Sequence, residues 1–160
     1  MPTDDLTAIE EAIYDQSFHV LEEQARVLDG LRSRAGALAG VATVTTGVVG
    51  ALASTARSEP NGALRWVAMA LYVSVIVLSL VIFSPSRRWV VAHDPKRLLA
   101  VYLDPEDSST LSEFRRTLAH YNGRSYELND RQLARLSAWF VVASFVFVAE
   151  LVFWLWSLST

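Results

Sequence analysis

Charged residues are missing from two long stretches of the chain and almost missing from a third. Residues 35–56 and residues 66–86 contain none, and residues 136–160 contain only Glu150. The hydrocarbon core of a bilayer is about 30 Å thick and an α-helix rises about 1.5 Å per residue, so roughly 20 apolar residues cross it. The pattern therefore predicts three transmembrane helices.

The apolar residues in these stretches leave no polar face, which disfavours amphipathic helices of a soluble protein. A polar turn at 58–62 separates the first two spans, and Pro85 ends the second. The expected fold is an all-α polytopic membrane protein with three transmembrane helices. Its expected parts are a cytoplasmic N-terminal helix (1–34), a transmembrane helical hairpin (35–84), a cytoplasmic helical segment (85–134) and a third transmembrane helix (135–160).

The N-terminal segment has the periodicity of a helix that continues into the first span. Its apolar residues are spaced four, three, four and three apart, as in the seam of a coiled coil. The residues of this predicted seam are Tyr14, Phe18, Leu21, Ala25 and Leu28.

The segment between the second and third spans predicts several short helices. One begins at Asp94-Pro95. A second begins after Thr110, whose side chain and that of Glu113 form a capping-box pattern, and Gly123 is expected to interrupt it. A further helix from about Glu127 runs into the third span.

Basic residues are concentrated on one side of the predicted spans. The N-terminal segment has three arginines and residues 86–135 have nine basic residues, whereas the hairpin turn has two and the C-terminal tail has none. By the positive-inside rule, the N-terminus and the long loop are expected to be cytoplasmic and the C-terminus to lie outside. Trp139, Trp154 and Trp156 lie near the ends of the third span and are expected to anchor it at the interfaces.

Composition excludes several classes of function. The chain has no cysteine and a net charge of −3, so thiol chemistry is absent and bulk electrostatics do not favour nucleic acid. His19, His93 and His120 lack the spacing of metal ligands. No catalytic or phosphate-loop motif is present. We expect no metal, no cofactor and no enzymatic activity; a lipid-acting enzyme would need a nucleophile and a base that the sequence does not pair.

The first span has a stripe of small residues on one face. Their spacing alternates four and three, and small residues let membrane helices approach closely. This stripe consists of Gly36, Gly40, Thr43, Gly47, Gly50 and Ser54. It fits packing against the second span of the same chain, or against another subunit, and both can hold together.

Glu150 is the one carboxylate inside a predicted span, and burying a charge in hydrocarbon costs about 2–3 kcal/mol or more. It could line a polar pore or accept a hydrogen bond at a subunit contact, with Thr43, Thr46 or Ser74 as candidate donors. The alternative is a position close enough to the outer interface to reach water.

The cytoplasmic segment contains a cluster of cationic and aromatic residues: Arg115, Arg116, Tyr121 and Arg124. Arginine binds phosphate through its planar fork of donors, and an aromatic ring can stack on a base. The alternatives are a solvated face near anionic lipid headgroups and pairing with the acidic N-terminal helix.

The layout of the whole chain resembles a known family. A charged segment precedes the first span, a helical stretch lies before the third, and a basic lead-in enters that span. These segments are Leu31-Arg32-Ser33-Arg34-Ala35-Gly36, Arg116-Thr117-Leu118-Ala119-His120-Tyr121-Asn122 and Leu128-Asn129-Asp130-Arg131-Gln132-Leu133-Ala134-Arg135-Leu136. They resemble the small transmembrane effectors of bacterial Pycsar antiphage systems and, more distantly, SLATT membrane effectors.

The resemblance implies a location in the bacterial inner membrane and a partner cyclase that makes cyclic CMP or cyclic UMP during infection. The nucleotide would activate a homo-oligomeric effector that impairs the inner membrane and aborts the infection. The soluble segments predict no β-roll nucleotide domain, so any nucleotide site must be built from helices. The competing hypothesis is a scaffolding membrane subunit that recruits a partner through its cytoplasmic helices.

Overall fold

A computed structural model describes residues 3–55, 62–84 and 111–159, all of them helical except Ser84. The helices are α1 (Thr3–Thr55), α2 (Gly62–Phe83) and α3 (Leu111–Ser159). Each is long and apolar enough to cross a membrane, which confirms the all-α fold with three helices of spanning length. Residues 58–61 of the predicted turn and the predicted helix from Asp94-Pro95 lie outside the described residues, whereas Gly62 is the first residue of α2.

The single helix α1 confirms that the N-terminal segment and the first apolar stretch form one long element. Helix α2 begins at Gly62, four residues before the predicted start of the second span, and thus includes Arg65. Ser84 follows α2, and its backbone N–H still donates to the carbonyl of Leu80 at 2.9 Å.

The predicted interruption of the third helix at Gly123 was wrong, because α3 is continuous from Leu111 to Ser159. A glycine inside a helix costs only about 1 kcal/mol relative to alanine. Asn122 and Ser125, on either side of Gly123, are both buried, and their packing holds the helix through the glycine.

The chain divides into two compact units. The described part of unit 1 consists of α1 up to Leu28 and α3 up to Leu133. Its two helices run parallel, since the three hydrogen-bonded pairs between them keep nearly the same offset. These pairs are Glu11 with Arg115, Ser17 with Asn122, and Gln24 with Tyr126.

Unit 2 consists of α1 from Asp29, the whole of α2, and α3 from Ala134. Helix α2 runs antiparallel to the other two, because Ile82 packs near Leu31 and Ala35 at one end while Ala68 packs near Val49 and Trp154 at the other. The outward surface of this unit is rich in large apolar side chains, including Val44, Leu80 and Phe145, which are 66%, 62% and 72% exposed.

Candidate functional site

The contact seam of unit 1 is polar. Gln24, Asn122, Asn129 and Gln132 are all buried. The side-chain amide of Gln24 donates to the carbonyl of Tyr126 at 3.1 Å, and that of Asn122 donates to the hydroxyl of Ser17 at 2.8 Å. Amide groups, together with the buried side chains of Leu28 and Leu118, therefore hold α1 against α3 here.

The seam that the sequence predicted is correct in part, since Leu28 is buried and Tyr14, Leu21 and Ala25 are half-buried. Phe18 belongs to the predicted seam but is 40% exposed, whereas its neighbour Ser17 bonds to α3. Hydropathy places apolar residues inside, but a hydrogen bond across the helices makes burial of a small polar side chain favourable. The three-and-four spacing of Asn122, Ser125, Asn129 and Gln132 was the sequence signal that could have revealed it.

Several amide oxygens in this seam have no hydrogen-bond partner among the described residues. They belong to Gln24, Asn122 and Gln132. A buried acceptor without a donor costs about 1–3 kcal/mol. The parallel pair of unit 1 is therefore held less firmly than a fully satisfied or fully apolar seam would hold it.

The four predicted ligand-binding residues do not share one face of α3. Arg115 points to α1, where its guanidinium lies 3.5 Å from the Glu11 carboxylate. Arg116, Tyr121 and Arg124 are exposed. At about 100° per residue, Tyr121 and Arg124 lie within about 60° of each other, but Arg115 is about 180° from Arg124. The structure brings Tyr121 and Arg124 to one surface and turns Arg115 to another.

An open groove runs along unit 1 between α1 and α3, with a volume of about 590 Å³. Small side chains, mainly apolar ones, make up much of its lining, and none of the four predicted ligand-binding residues lines it. The groove is lined by Ala12, Ile13, Gln16, Ser17, Val20, Ala119, Asn122, Gly123 and Tyr126. We call it the small-residue groove.

Glu150 lies in the core of unit 2, where it is fully buried and accepts a hydrogen bond from the Thr46 hydroxyl. Among the three predicted donors, Thr43, Thr46 and Ser74, it is thus Thr46 that bonds to Glu150. The Thr43 hydroxyl instead contacts the Tyr72 hydroxyl at 3.2 Å, and Ser74 bonds to the carbonyl of Ala70 in its own helix.

The stripe of small residues on α1 divides between two environments. A Cβ atom added at Gly36 would lie 3.1 Å from the Phe83 ring of α2, and one at Gly50 would lie 4.0 Å from Trp154 of α3. Nothing lies within 4 Å of a Cβ added at Gly40 or Gly47. Gly36 and Gly50 thus pack against other helices of the chain, whereas Gly40 and Gly47 face outward.

Trp154 does not belong to an exposed interface belt, contrary to the prediction. It is 3% exposed and packs against Ala68 in unit 2. Trp139 and Trp156 are 41% and 54% exposed, as residues at a membrane surface would be. The hydropathy of the third span does not distinguish its inner face from its outer face, and this produced the error.

Among the described residues, no group of three or more His, Cys, Asp or Glu side chains could hold a metal ion. No protein-family model, no curated protein and no solved structure matches the chain.

Proposed function

We propose that the chain is a membrane effector of an antiphage defence system. It is activated by a cyclic pyrimidine nucleotide, cyclic CMP or cyclic UMP, from a partner cyclase, and it impairs the inner membrane so that infection is aborted. The proposal joins the sequence resemblance to the physical properties of the two units.

The topology in this proposal has three spans, a cytoplasmic N-terminus and an outward C-terminus. Support comes from unit 2, where α1 and α3 are parallel and α2 is antiparallel, as three successive crossings require. Arginine is frequent in α1 and α3 just before their apolar stretches, and this agrees with a cytoplasmic location of the segments that precede those stretches.

The observation that supports a switch is the incompletely satisfied polar seam of unit 1. Helices α1 and α3 each continue in sequence from this seam into a membrane-length apolar stretch. Moving a two-state equilibrium from 1:99 to 99:1 takes about 5.5 kcal/mol of differential binding. A seam with buried unsatisfied acceptors lowers the free energy that a ligand must supply to rearrange the helices.

The proposed ligand residues are Arg116, Tyr121 and Arg124, with Arg115 as a further candidate. Tyr121 can stack on a pyrimidine, and Arg124, on the same surface, can pair with the cyclic phosphate. Because Arg115 faces away from Arg124, a site that uses all four residues needs more than one subunit.

The direct test is a thermal titration of the purified protein in detergent with cyclic CMP, cyclic UMP, cyclic AMP and cyclic GMP. We expect one or both pyrimidine nucleotides to raise the midpoint of unfolding and the purine nucleotides to leave it unchanged. Absence of a shift with every nucleotide would remove the ligand from the proposal.

A scaffolding subunit is the second candidate, favoured by exposed apolar side chains on α1 of unit 1. Ile13 and Val27 are 53% and 54% exposed. Co-expression with the cyclase separates the two functions, because an effector makes cells permeable to a dye and a scaffold does not. If the chain is a scaffold, deleting residues 1–28 would abolish partner binding and leave the permeability of the cells unchanged.

A further inference from the structure

A row of buried polar groups follows one face of α3 in unit 2. Glu150, Trp154 and Ser157 are 0%, 3% and 1% exposed. One carboxyl oxygen of Glu150, the indole N–H of Trp154 and the hydroxyl of Ser157 have no hydrogen-bond partner among the described residues. At about 100° per residue, the three side chains lie within about 60° of one another around the helix. We call them the polar row.

The polar row leads from Glu150 to the end of α3. Helix α3 ends at Ser159, two residues after Ser157 and nine after Glu150. At a rise of about 1.5 Å per residue, Glu150 is about 14 Å from that end. The last carbonyl groups of a helix have no partner within it, so they supply further acceptors where the row ends.

An open cavity of about 430 Å³ reaches the middle of the polar row at Trp154. It lies toward the end of unit 2 where α3 ends and α2 begins, because Ala68 of α2 packs near Trp154. A water molecule occupies about 30 Å³ in the liquid, so the cavity holds several. It is lined by Gly50, Gly62, Arg65, Trp66, Met69 and Trp154.

On the other side of Glu150 the interior of unit 2 is apolar. Ala143, on the same face of α3, is fully buried. The next buried polar group without a partner among the described residues is the Ser79 hydroxyl, which lies one turn from Ile82 at the opposite end of the unit. A path along the polar row therefore ends at Glu150 and does not continue across the unit.

Water matches the hydrogen-bonding groups of the row. A carboxyl oxygen accepts, an indole N–H only donates, and a hydroxyl does both. The Trp154 N–H lies near the Glu150 carboxyl but does not complete a hydrogen bond to it. Two hydrogen bonds through one water molecule join groups about 5 Å apart, and neighbouring members of the row are about 4.5–6 Å apart along the helix. Water can thus bridge each pair, whereas the positive end of the indole N–H disfavours a metal ion.

The charge of Glu150 has no opposite charge beside it within the apolar stretches. Residues 35–55, 66–83 and 136–159 contain no other charged side chain. Arg65 lines the cavity and does not titrate. The remaining titratable group of these stretches is Tyr72, whose hydroxyl contacts that of Thr43 at 3.2 Å. A carboxylate without a counter-charge is costly inside a membrane, and a proton from the water would neutralise it.

We propose that Glu150 is a proton-binding site, and that a file of water molecules along the polar row connects it to the aqueous phase at the end of α3. Proton uptake adds one proton from the file to the carboxylate and leaves a neutral acid, and no other bond changes. This inference goes beyond the proposed function and uses only its three-span topology.

Infrared spectroscopy of the full chain in liposomes tests the site directly, because a protonated carboxyl and a carboxylate absorb at different frequencies. Subtracting the spectrum of Glu150→Gln isolates Glu150 from the acidic residues of unit 1. The band of the protonated group is followed as the pH of the buffer is varied, and again after transfer from H2O to D2O at a pH where the band is present.

We expect the band of the protonated group to decrease as the pH rises and to move to lower frequency in D2O. A band that stays unchanged in D2O would show that Glu150 is sealed from water and would overturn the inference. Absence of any titration over the pH range in which the protein stays folded would overturn it as well.

Blocking the row should slow the exchange with D2O. We predict that Ser157→Val slows it at least about tenfold, equivalent to about 1.4 kcal/mol of activation free energy. Ser144→Val is the matched control, because Ser144 bonds to the Phe140 carbonyl of its own helix and lies about 120° from Glu150 around α3. An unchanged rate in Ser157→Val would mean that water reaches Glu150 by another route, and the proposed file would be wrong.

A second pair of variants keeps the test decisive if Ser157→Val does not fold. Gly50→Leu narrows the cavity, since a Cβ atom added at Gly50 lies 4.0 Å from Trp154, and it should slow the exchange too. Gly47→Leu is its control, because nothing lies within 4 Å of a Cβ added there. Equal rates in these two variants would contradict access through the cavity. Nucleotide binding and dye entry are measured separately, so failure here leaves the proposed function standing.

Discussion

The hydroxyl of Thr46 donates a hydrogen bond to the carboxylate of Glu150, and both side chains are buried in unit 2. The bond joins α1 to α3 within an otherwise mostly apolar bundle. Polar contacts between helices in a membrane contribute about 0.6 kcal/mol on average and up to about 1.7 kcal/mol. This pair therefore fixes the alignment of α1 with α3 in unit 2 more than it adds to stability.

Removing the acceptor should destabilise unit 2. We predict that Glu150→Ala lowers the free energy of unfolding by about 1–3 kcal/mol, because it leaves the Thr46 hydroxyl buried without its partner. Glu150→Gln keeps an acceptor oxygen and should cost less. The measurement is equilibrium unfolding by SDS in mixed micelles. Ser144→Ala is the control, since among the described residues Ser144 bonds to the Phe140 carbonyl of its own helix and to no other helix; an equal loss in both alanine variants would contradict the assignment.

The glycines of α1 should respond unequally to enlargement. Gly36→Leu would drive a side chain into the Phe83 ring, and overpacking of this kind costs about 1–3 kcal/mol. Gly47→Leu enters open space in the single chain and should leave its unfolding free energy unchanged. The same SDS titration measures both variants. Equal destabilisation would show that the space beside Gly47 is filled within the monomer.

The polar seam of unit 1 should tolerate an apolar residue. We predict that Gln24→Leu leaves stability unchanged or raises it by about 1 kcal/mol, because it removes a buried acceptor without a partner. The same change should weaken the response to the nucleotide, since rearranging α1 and α3 of unit 1 would then cost more free energy. Gln16→Leu, in the groove lining and away from the seam, is the control for added hydrophobicity. A loss of stability in Gln24→Leu would mean that the bond to the Tyr126 carbonyl outweighs the unsatisfied oxygen.

Ligand binding should depend on the exposed surface of α3 and not on its ion pair with α1. We predict that Arg124→Gln and Tyr121→Ala each weaken nucleotide binding at least about tenfold, or about 1.4 kcal/mol. Glu11→Gln removes a partly exposed ion pair of about 0–1 kcal/mol and should leave the affinity unchanged. Isothermal titration calorimetry with cyclic CMP and cyclic UMP measures these affinities. Unchanged binding in Arg124→Gln would move the site elsewhere.

The sequence predicted the helical elements better than their contacts. Stretches of spanning length with at most one charge identified α2 and the apolar halves of α1 and α3, because the length requirement of a bilayer is strict. Gly123 misled the prediction because a glycine only weakens a helix, and buried neighbours on both sides decide whether it ends there.

The inner and outer faces of the helices were the harder part. Phe18 was placed inside and Gln24 was passed over, because hydropathy cannot anticipate a hydrogen bond to a residue some hundred positions away. Trp154 and Trp139 look alike in an apolar stretch, and only the packing of α2 separates the buried ring from the exposed one. The donor to Glu150 could be narrowed to three hydroxyls from sequence, but choosing among them required the alignment of α1 and α3.

Site-directed labelling tests the membrane topology on which the account depends. Single cysteines at Asp15, Gly62, Glu127 and Ser159 would be treated with a maleimide that does not cross membranes, first on spheroplasts and then after lysis. The proposed topology predicts that Gly62→Cys and Ser159→Cys react on intact spheroplasts, and that Asp15→Cys and Glu127→Cys react only after lysis. The reverse pattern, or a protein that stays in the supernatant after ultracentrifugation, would contradict it.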